Sequence, residues 1–217
     1  MTAKLREHLP RLRSGAERAA LFAAFAAGKE RMGFRLVHFA ILNDHLHLLV
    51  EAESIAAMQA DMQGLLIRTA RALNRLWRRL GPVFADRFHD RPLRSPREVR
   101  NALVYVLGNA RKHAAAGRMV QAGNGLDEHS SARWFDGYRD AAGPPLAIDV
   151  ACPVAAPNTW LLSRGWRRHG LIGVAEAPRS ADRTAVPQRS LARPARRVAQ
   201  RMGEAAAVGR DAAVAAT

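Results

Sequence analysis

Two imidazoles, a phenol and a carboxamide are the groups in this chain whose types and spacing could do chemistry. His45 and His47 stand two apart in the run NDHLHLLVE at 43–51, which otherwise reads as a strand. Residues i and i+2 of a strand share a face. Both imidazoles therefore point one way with Leu49, while Leu46, Leu48 and Val50 point the other. Two adjacent ring nitrogens can chelate one divalent ion; the plainer reading is a pair of histidines on a solvated sheet face. Tyr105 and Asn109 stand one helical turn apart, on the polar side of a helix with Glu98, Asn101 and Lys112. A tyrosine so placed is either an ordinary surface residue or a presented hydroxyl.

Taken together the groups have a chemical logic. His45, His47 and Asn109 offer neutral N, N and O donors, a set that suits Mg2+ or Mn2+ when waters and a phosphate oxygen complete the shell. A phenol with its ordinary pKa of about 10 is a weak nucleophile and needs a polarised target. A phosphodiester on a metal is such a target. Attack by Tyr105 would leave a covalent phosphotyrosine and a free 3′ hydroxyl, keeping the bond energy so that strands can be rejoined without ATP. The condition is geometric: the helix carrying Tyr105 and Asn109 must lie across the imidazole face.

The elements that would do this positioning follow from pattern and caps. Residues 3–6 read as a short strand, beginning close to the first methionine. Ser14-Gly15-Ala16-Glu17 reads as a capping box opening a helix with Leu21, Phe22 and Phe25 at helical spacing, expected to stop at Gly33. Phe34 to Leu42 and His45 to Glu51 are strands joined by an Asn43-Asp44 turn. Ser54 caps a long helix to about Leu80, with Met62, Leu66, Thr69, Leu73, Leu76 and Trp77 on one face. Arg68, Arg71, Arg75, Arg78 and Arg79 gather on the opposite face. Gly81-Pro82 ends it, and Val83 to Leu93 reads as extended. Ser95-Pro96-Arg97-Glu98 then starts a helix expected to run to about Ala116, with an apolar arc of Val99, Leu103, Val106, Leu107, Ala110 and Ala114.

Strand, helix, strand, strand, helix, strand is the order of a ferredoxin-like split βαβ sandwich, an α+β fold whose antiparallel sheet carries its helices on one face. Residues 1–117 form that domain. Residues 118–175 read as an irregular C-terminal extension packing on it, with 160–172 (WLLSRGWRRHGLI) as a small helical piece. From about 176 the chain is Ala, Arg and Pro, a basic tail expected to be disordered.

Composition narrows the partners. Lys and Arg outnumber Asp and Glu 34 to 19, a net charge of +15, which points to a polyanion, nucleic acid before an anionic membrane surface. The single cysteine, Cys152, excludes a disulfide framework and a Cys-rich zinc site. No apolar run approaches the roughly 20 residues of a membrane span, and residues 1–30 carry charges where a secretory signal would be apolar. A soluble, cytoplasmic protein with no membrane partner is expected. The arginine face of the 54–80 helix either tracks a phosphate backbone or is simply solvated. Arg164, Arg167, Arg168 and His169 beside Trp160 and Trp166 suit stacking on unpaired bases, or a small core with snorkelling arginines. His38, His89 and His113 read as structural or surface residues.

At this point the sequence resembles the HUH single-tyrosine transposases, especially the REP-associated tyrosine transposases. His45-Leu46-His47 matches the His-hydrophobic-His signature, and the run is similar to the family's N-H-x-H-L-L-V except that Asp44 follows Asn43. The family's nucleophile helix reads Y-x-x-x-N-P-x-x-A; here Tyr105 and Asn109 match, with Ala110 in place of the proline. The resemblance spans roughly residues 3–117, and the interval of about 58 residues between the motifs also fits. It implies the ferredoxin-like fold, metal binding by His45, His47 and Asn109, and attack by Tyr105 on single-stranded DNA beside a hairpin. It implies a monomer or homodimer, and a nucleoid association is expected; from the charge pattern, Arg68, Arg71, Arg75, Arg78, Arg79 and Lys112 are the expected DNA contacts. The rival reading is a non-catalytic DNA-binding protein or repressor on the same fold. An RNA-binding ferredoxin-like domain would leave the histidine pair and Tyr105 unexplained.

Overall fold

A computed structural model describes residues 1–85, 88–109, 126–140 and 151–178; expectations for the basic tail beyond 178 lie outside the described residues. Four antiparallel strands form one sheet in the order β1-β4-β3-β2: β1 (Thr2–Lys4), β2 (Glu30–Arg31), β3 (Phe34–Ile41) and β4 (His45–Ala52). Helices α1 (Gly15–Ala26), α2 (Ile55–Leu76), α3 (Pro96–Leu107) and the single turn α4 (Trp160–Ser163) accompany it, with 3₁₀ turns at Ser131–Trp134 and Gly165–His169. The architecture is α+β and compatible with a split βαβ arrangement. The extended segment after α2 runs antiparallel to the outer edge of β1. Among the described residues it pairs with β1 at His89 opposite Thr2 and at Phe84 opposite Leu5; residues 86 and 87 of the predicted extended run lie outside the described residues.

The caps form as the sequence dictates, with one difference. Ser14, Ser54 and Ser95 each accept a backbone N–H from the third residue on, at the starts of α1, α2 and α3, satisfying donors a helix start leaves bare. Ser95 and Glu98 complete a reciprocal capping box. Glu17 does not close one: its buried carboxylate instead accepts 2.8 Å from the Trp77 indole N–H, tying α1 to the end of α2. Helix α1 also stops at Ala26, well before Gly33. Gly33 serves a different turn, with φ of +81° between β2 and β3, a conformation glycine adopts without strain.

Both faces of the sheet are covered, which corrects the expectation of helices on one face. Leu46 and Leu48 of β4, with Leu36, Phe39 and Ile41 of β3, pack against Leu21, Phe22 and Phe25 of α1 and Met62, Leu65 and Leu73 of α2. On the opposite face, Leu49 and Val37 pack with Val99, Leu103, Val104 and Leu107 of α3. The register between β3 and β4 shifts between Leu36 and His38. This one-residue bulge at Val37 sends Val37 and His38 to the α3 side while Phe39 and Ile41 keep their place in the first core.

The C-terminal segments complete the second core. Ala132, Phe135, Leu162, Trp166 and Ile172 are all buried in it. Their backbone is anchored by Ala155 N–H to the Leu36 carbonyl and Ile41 N–H to the His129 carbonyl. Glu51, at the far end of the imidazole face, accepts from Asn158 N–H, Thr159 N–H and the Thr159 hydroxyl at 2.8, 2.9 and 2.6 Å. Arg100 of α3 forks onto Glu176 and donates to the Gly170 carbonyl. Gly108, just past α3, lets this segment approach: a Cβ there would stand 3.0 Å from the Glu176 carbonyl oxygen. The 160–172 stretch thus forms the small helical piece its sequence predicts, with Trp166 in the core and the Arg167 and Arg168 guanidiniums over indole rings. Among the described residues, no helix is long and apolar enough to cross a membrane.

His38 illustrates what this burial does. It is enclosed between β3 and the 131–135 turn, with Nδ1 3.1 Å from the Ser131 hydroxyl and its ring edge-on to Phe135. Burial lowers its pKa from 6.5 to about 4, partly opposed by the charge of Asp136. A neutral buried base binds fewer protons than the unfolded chain between those values, so stability is full above about pH 6.5 and lost as pH falls toward 4. The expected loss is on the order of 3 kcal/mol. Denaturant midpoints at pH 7.5 and pH 5 should therefore differ, and His38→Gln should flatten the difference; an unchanged pH slope in that variant would assign it elsewhere.

Candidate metal and nucleophile site

The site is built by three elements: the start of β4, the paired β1, and the last turn of α3. β4 presents His45 and His47 on the face that α3 covers. Their Nε2 atoms stand 3.2 Å apart, with the rings nearly perpendicular and their centroids 4.7 Å apart. Ala40 lies opposite His47 on β3. From α3, the Tyr105 hydroxyl reaches to 3.3 Å from His47 Nε2, and its ring meets the imidazole edge-on at a centroid distance of 5.0 Å. Tyr105 is half-buried. The helix carrying it does lie across the imidazole face.

Each imidazole is held from behind by its other nitrogen. His45 Nδ1 is 2.7 Å from Asp44 Oδ1. His47 Nδ1 is 3.0 Å from Thr2 Oγ1, because β1 pairs with β4 in the register that sets Thr2 against His47. Desolvation tends to raise the Asp44 pKa. The hydrogen bond and charge of His45, its own backbone N–H and the charge of Lys4 outweigh that, and the carboxyl is held below its ordinary value.

Asn109, expected on the polar side of the helix with Tyr105, is fully buried. α3 gives way at Gly108, so the wheel extrapolated from 96–107 no longer applies. Burial raises the Tyr105 pKa, and the Asn109 side chain lies close enough to oppose that rise. Yet neither amide atom of Asn109 has a well-formed hydrogen bond among the described residues.

The donor set can be tested against an ion. Two donors about 2.1 Å from a single cation, at angles of about 90–110°, stand about 3.0–3.4 Å apart. The Nε2 separation of 3.2 Å falls within that span. The carboxylate on His45 Nδ1 is the support that metal-binding imidazoles commonly have, and the buried Asn109 side chain lies close to Tyr105. Among the described residues no group of three His, Cys, Asp or Glu side chains gathers round one point. Neutral nitrogen and oxygen donors completed by water or substrate phosphate are what Mg2+ and Mn2+ accept.

The remaining site expectations separate from this cluster. Arg68, Arg71, Arg75 and Arg78 are exposed, and Arg79 is partly covered and donates to Asn74 Oδ1. They belong to α2 and the residues after it, and α2 packs on the other sheet face from the imidazoles. A strand touching both would have to pass around the sheet. Lys112 and His113 lie outside the described residues. His89 spends its backbone pairing with Thr2. Sequence reasoning missed Asp44 and Thr2. A carboxylate directly preceding a histidine was a usable signal for Asp44; nothing local could have found Thr2, whose role depends on the β1–β4 register.

No protein-family model, no curated protein and no solved structure matches this chain.

Proposed function

We propose that the chain is a metal-dependent single-strand DNA endonuclease and strand transferase acting at hairpin-forming repeats through a covalent 5′-phosphotyrosine on Tyr105. The observation that carries this reading is the convergence of the Tyr105 hydroxyl and the two Nε2 atoms at 3.2–3.3 Å on one sheet face. The reading takes the fold as the ferredoxin-like split βαβ sandwich, with the bridges from Phe84 and His89 to β1 marking the place of its last strand, and the protein acting at the nucleoid as a monomer or homodimer. His45, His47 and the Asn109 amide are the groups that would hold Mg2+ or Mn2+. When bound, that ion supplies positive charge to the scissile phosphate.

The chain's own residues do the rest. Tyr105, fixed by its packing on His47, directs its oxygen at phosphorus. The new O–P bond forms as the bond to the 3′ oxygen breaks; the phenol proton leaves and the 3′ oxygen gains one. The reverse attack by a 3′ hydroxyl on the phosphotyrosine reseals the strand. A raised phenol pKa makes Tyr105 inert until substrate and positive charge arrive together, which limits stray cleavage. The +15 charge draws the polyanion. The test is incubation with hairpin-bearing single-stranded DNA and Mn2+ or Mg2+. A protein–DNA adduct resistant to denaturation is expected. Tight binding without an adduct under either metal would leave a binding protein or repressor.

A further inference from the structure

The metal pair, as read above, leaves the contacts behind it to be explained. Asp44 is a turn residue whose side chain is 63% exposed, so packing does not require a carboxylate there. Its Oδ1 nevertheless sits 2.7 Å from His45 Nδ1. Thr2 reaches His47 Nδ1 from the neighbouring strand. We propose that Asp44 and Thr2 are positioning residues that set the tautomers of His45 and His47 and thereby the affinity of the pair for a divalent cation. The proposal rests on the metal reading of the two histidines.

The two partners differ in what they permit. An ionised carboxylate only accepts, so Asp44 fixes the hydrogen of His45 on Nδ1 and leaves Nε2 as a lone pair. A hydroxyl both donates and accepts, so Thr2 leaves His47 able to carry its hydrogen on either nitrogen. Without a cation, His47 can direct Nε2–H at His45 Nε2 across 3.2 Å while the Thr2 hydroxyl donates to His47 Nδ1. When a cation binds, both Nε2 atoms must be lone pairs. The His47 hydrogen then sits on Nδ1, and the Thr2 oxygen accepts it. Asp44 locks one ring and Thr2 lets the other switch, so the pair can be stable in both states.

Mn2+ affinity of the full chain, measured by calorimetry or by Mn2+ electron resonance at fixed pH, tests this. Asp44→Ala should weaken binding about 10–100-fold, with Asp44→Asn, which keeps an acceptor but no charge, falling between. Thr2→Val should weaken it as well, and Thr2→Ser should restore it. Nitrogen-15 spectra of the imidazoles, without metal and above pH 8, should show hydrogen on His45 Nδ1 in the parent and a shift toward Nε2–H in Asp44→Ala. Parent-like Mn2+ affinity in Asp44→Ala and Thr2→Val, with binding lost in His45→Ala, would overturn the positioning role and leave the metal site standing. Parent-like affinity in His45→Ala and His47→Ala would remove the metal site itself.

Discussion

Tyr105→Phe is expected to abolish the covalent protein–DNA adduct and to lower strand cleavage by on the order of 10⁴ or more, about 5 kcal/mol of transition-state stabilisation. The substitution removes one oxygen and leaves the ring that packs edge-on against His47. The hydroxyl is only half-buried, so fold stability should change by less than about 1 kcal/mol. On the proposed function, DNA affinity should stay within about twofold, since affinity for DNA is dominated by phosphate contacts rather than by a phenol. Gel shift and denaturing-gel assays on the same preparation separate the two effects. An adduct that persists in Tyr105→Phe places the nucleophile elsewhere, with Tyr138 the one other tyrosine of the chain. Tyr138 meets Phe135 edge-on beside the second core, and Tyr138→Phe is the matched control that should cleave like the parent.

The second large effect belongs to the imidazoles. His47→Ala should cost at least about 100-fold in Mn2+ affinity and about 10³-fold in cleavage, because one of two nitrogen donors is gone and the Tyr105 hydroxyl loses its neighbour at 3.3 Å. His47 is buried, so the variant also leaves a small cavity and the Thr2 hydroxyl without its partner, a stability cost of about 1–3 kcal/mol. His45→Ala is the companion variant. Its ring is more exposed than that of His47, and it should lose metal and cleavage with little change in the thermal midpoint. If both variants cleave at the parent rate, the imidazole pair has no part in the chemistry. Chelation with EDTA should stop cleavage while leaving the fold intact, because the two apolar cores hold the sheet without help from the pair.

Much of this arrangement was legible in the sequence because it is local. The three serine caps, the two long strands, the Asn43-Asp44 turn and the sidedness of the histidines follow from residues within a few positions of one another. What was not legible depends on distant partners. The second layer over the imidazole face draws on Ala132, Phe135, Leu162 and Trp166, whose positions no periodicity in the turn-rich region announces. Strict alternation through β3 hides the bulge at Val37, because Val37 and His38 are both acceptable on either face until Phe135 and Ser131 arrive. Helix α1 looked longer because the alanines after Phe25 are good helix formers. Gly28 ends that run where its backbone meets Leu65 of α2. The burial of Asn109 was not legible from a helical wheel, which carries no knowledge of what packs over the polar side.

The chemistry was legible as residue types and not as a site. Nothing in the spacing of 58 residues between His47 and Tyr105 brings them together; the packing of Leu103, Val104 and Leu107 onto Leu49 and Val37 does. Asp44 appeared as an interruption of a motif, whereas its carboxylate holds the first ring. The arginines of α2 appeared as the natural DNA face, whereas the sheet separates α2 from Tyr105. Substituting Arg71 and Arg75 with glutamate should accordingly weaken DNA binding in a salt-dependent manner, without changing the rate of adduct formation at saturating DNA.

The most direct measurement is to map the adduct. Hairpin-bearing single-stranded DNA is incubated with the protein and Mn2+, the DNA is trimmed by nuclease, and tryptic peptides are sequenced by mass spectrometry. The account predicts a nucleotide joined through its 5′ phosphate to Tyr105, in the peptide Asn101–Arg111. A nucleotide on any other residue, or cleavage that yields a free 5′ phosphate with no protein attached at any time, would contradict it.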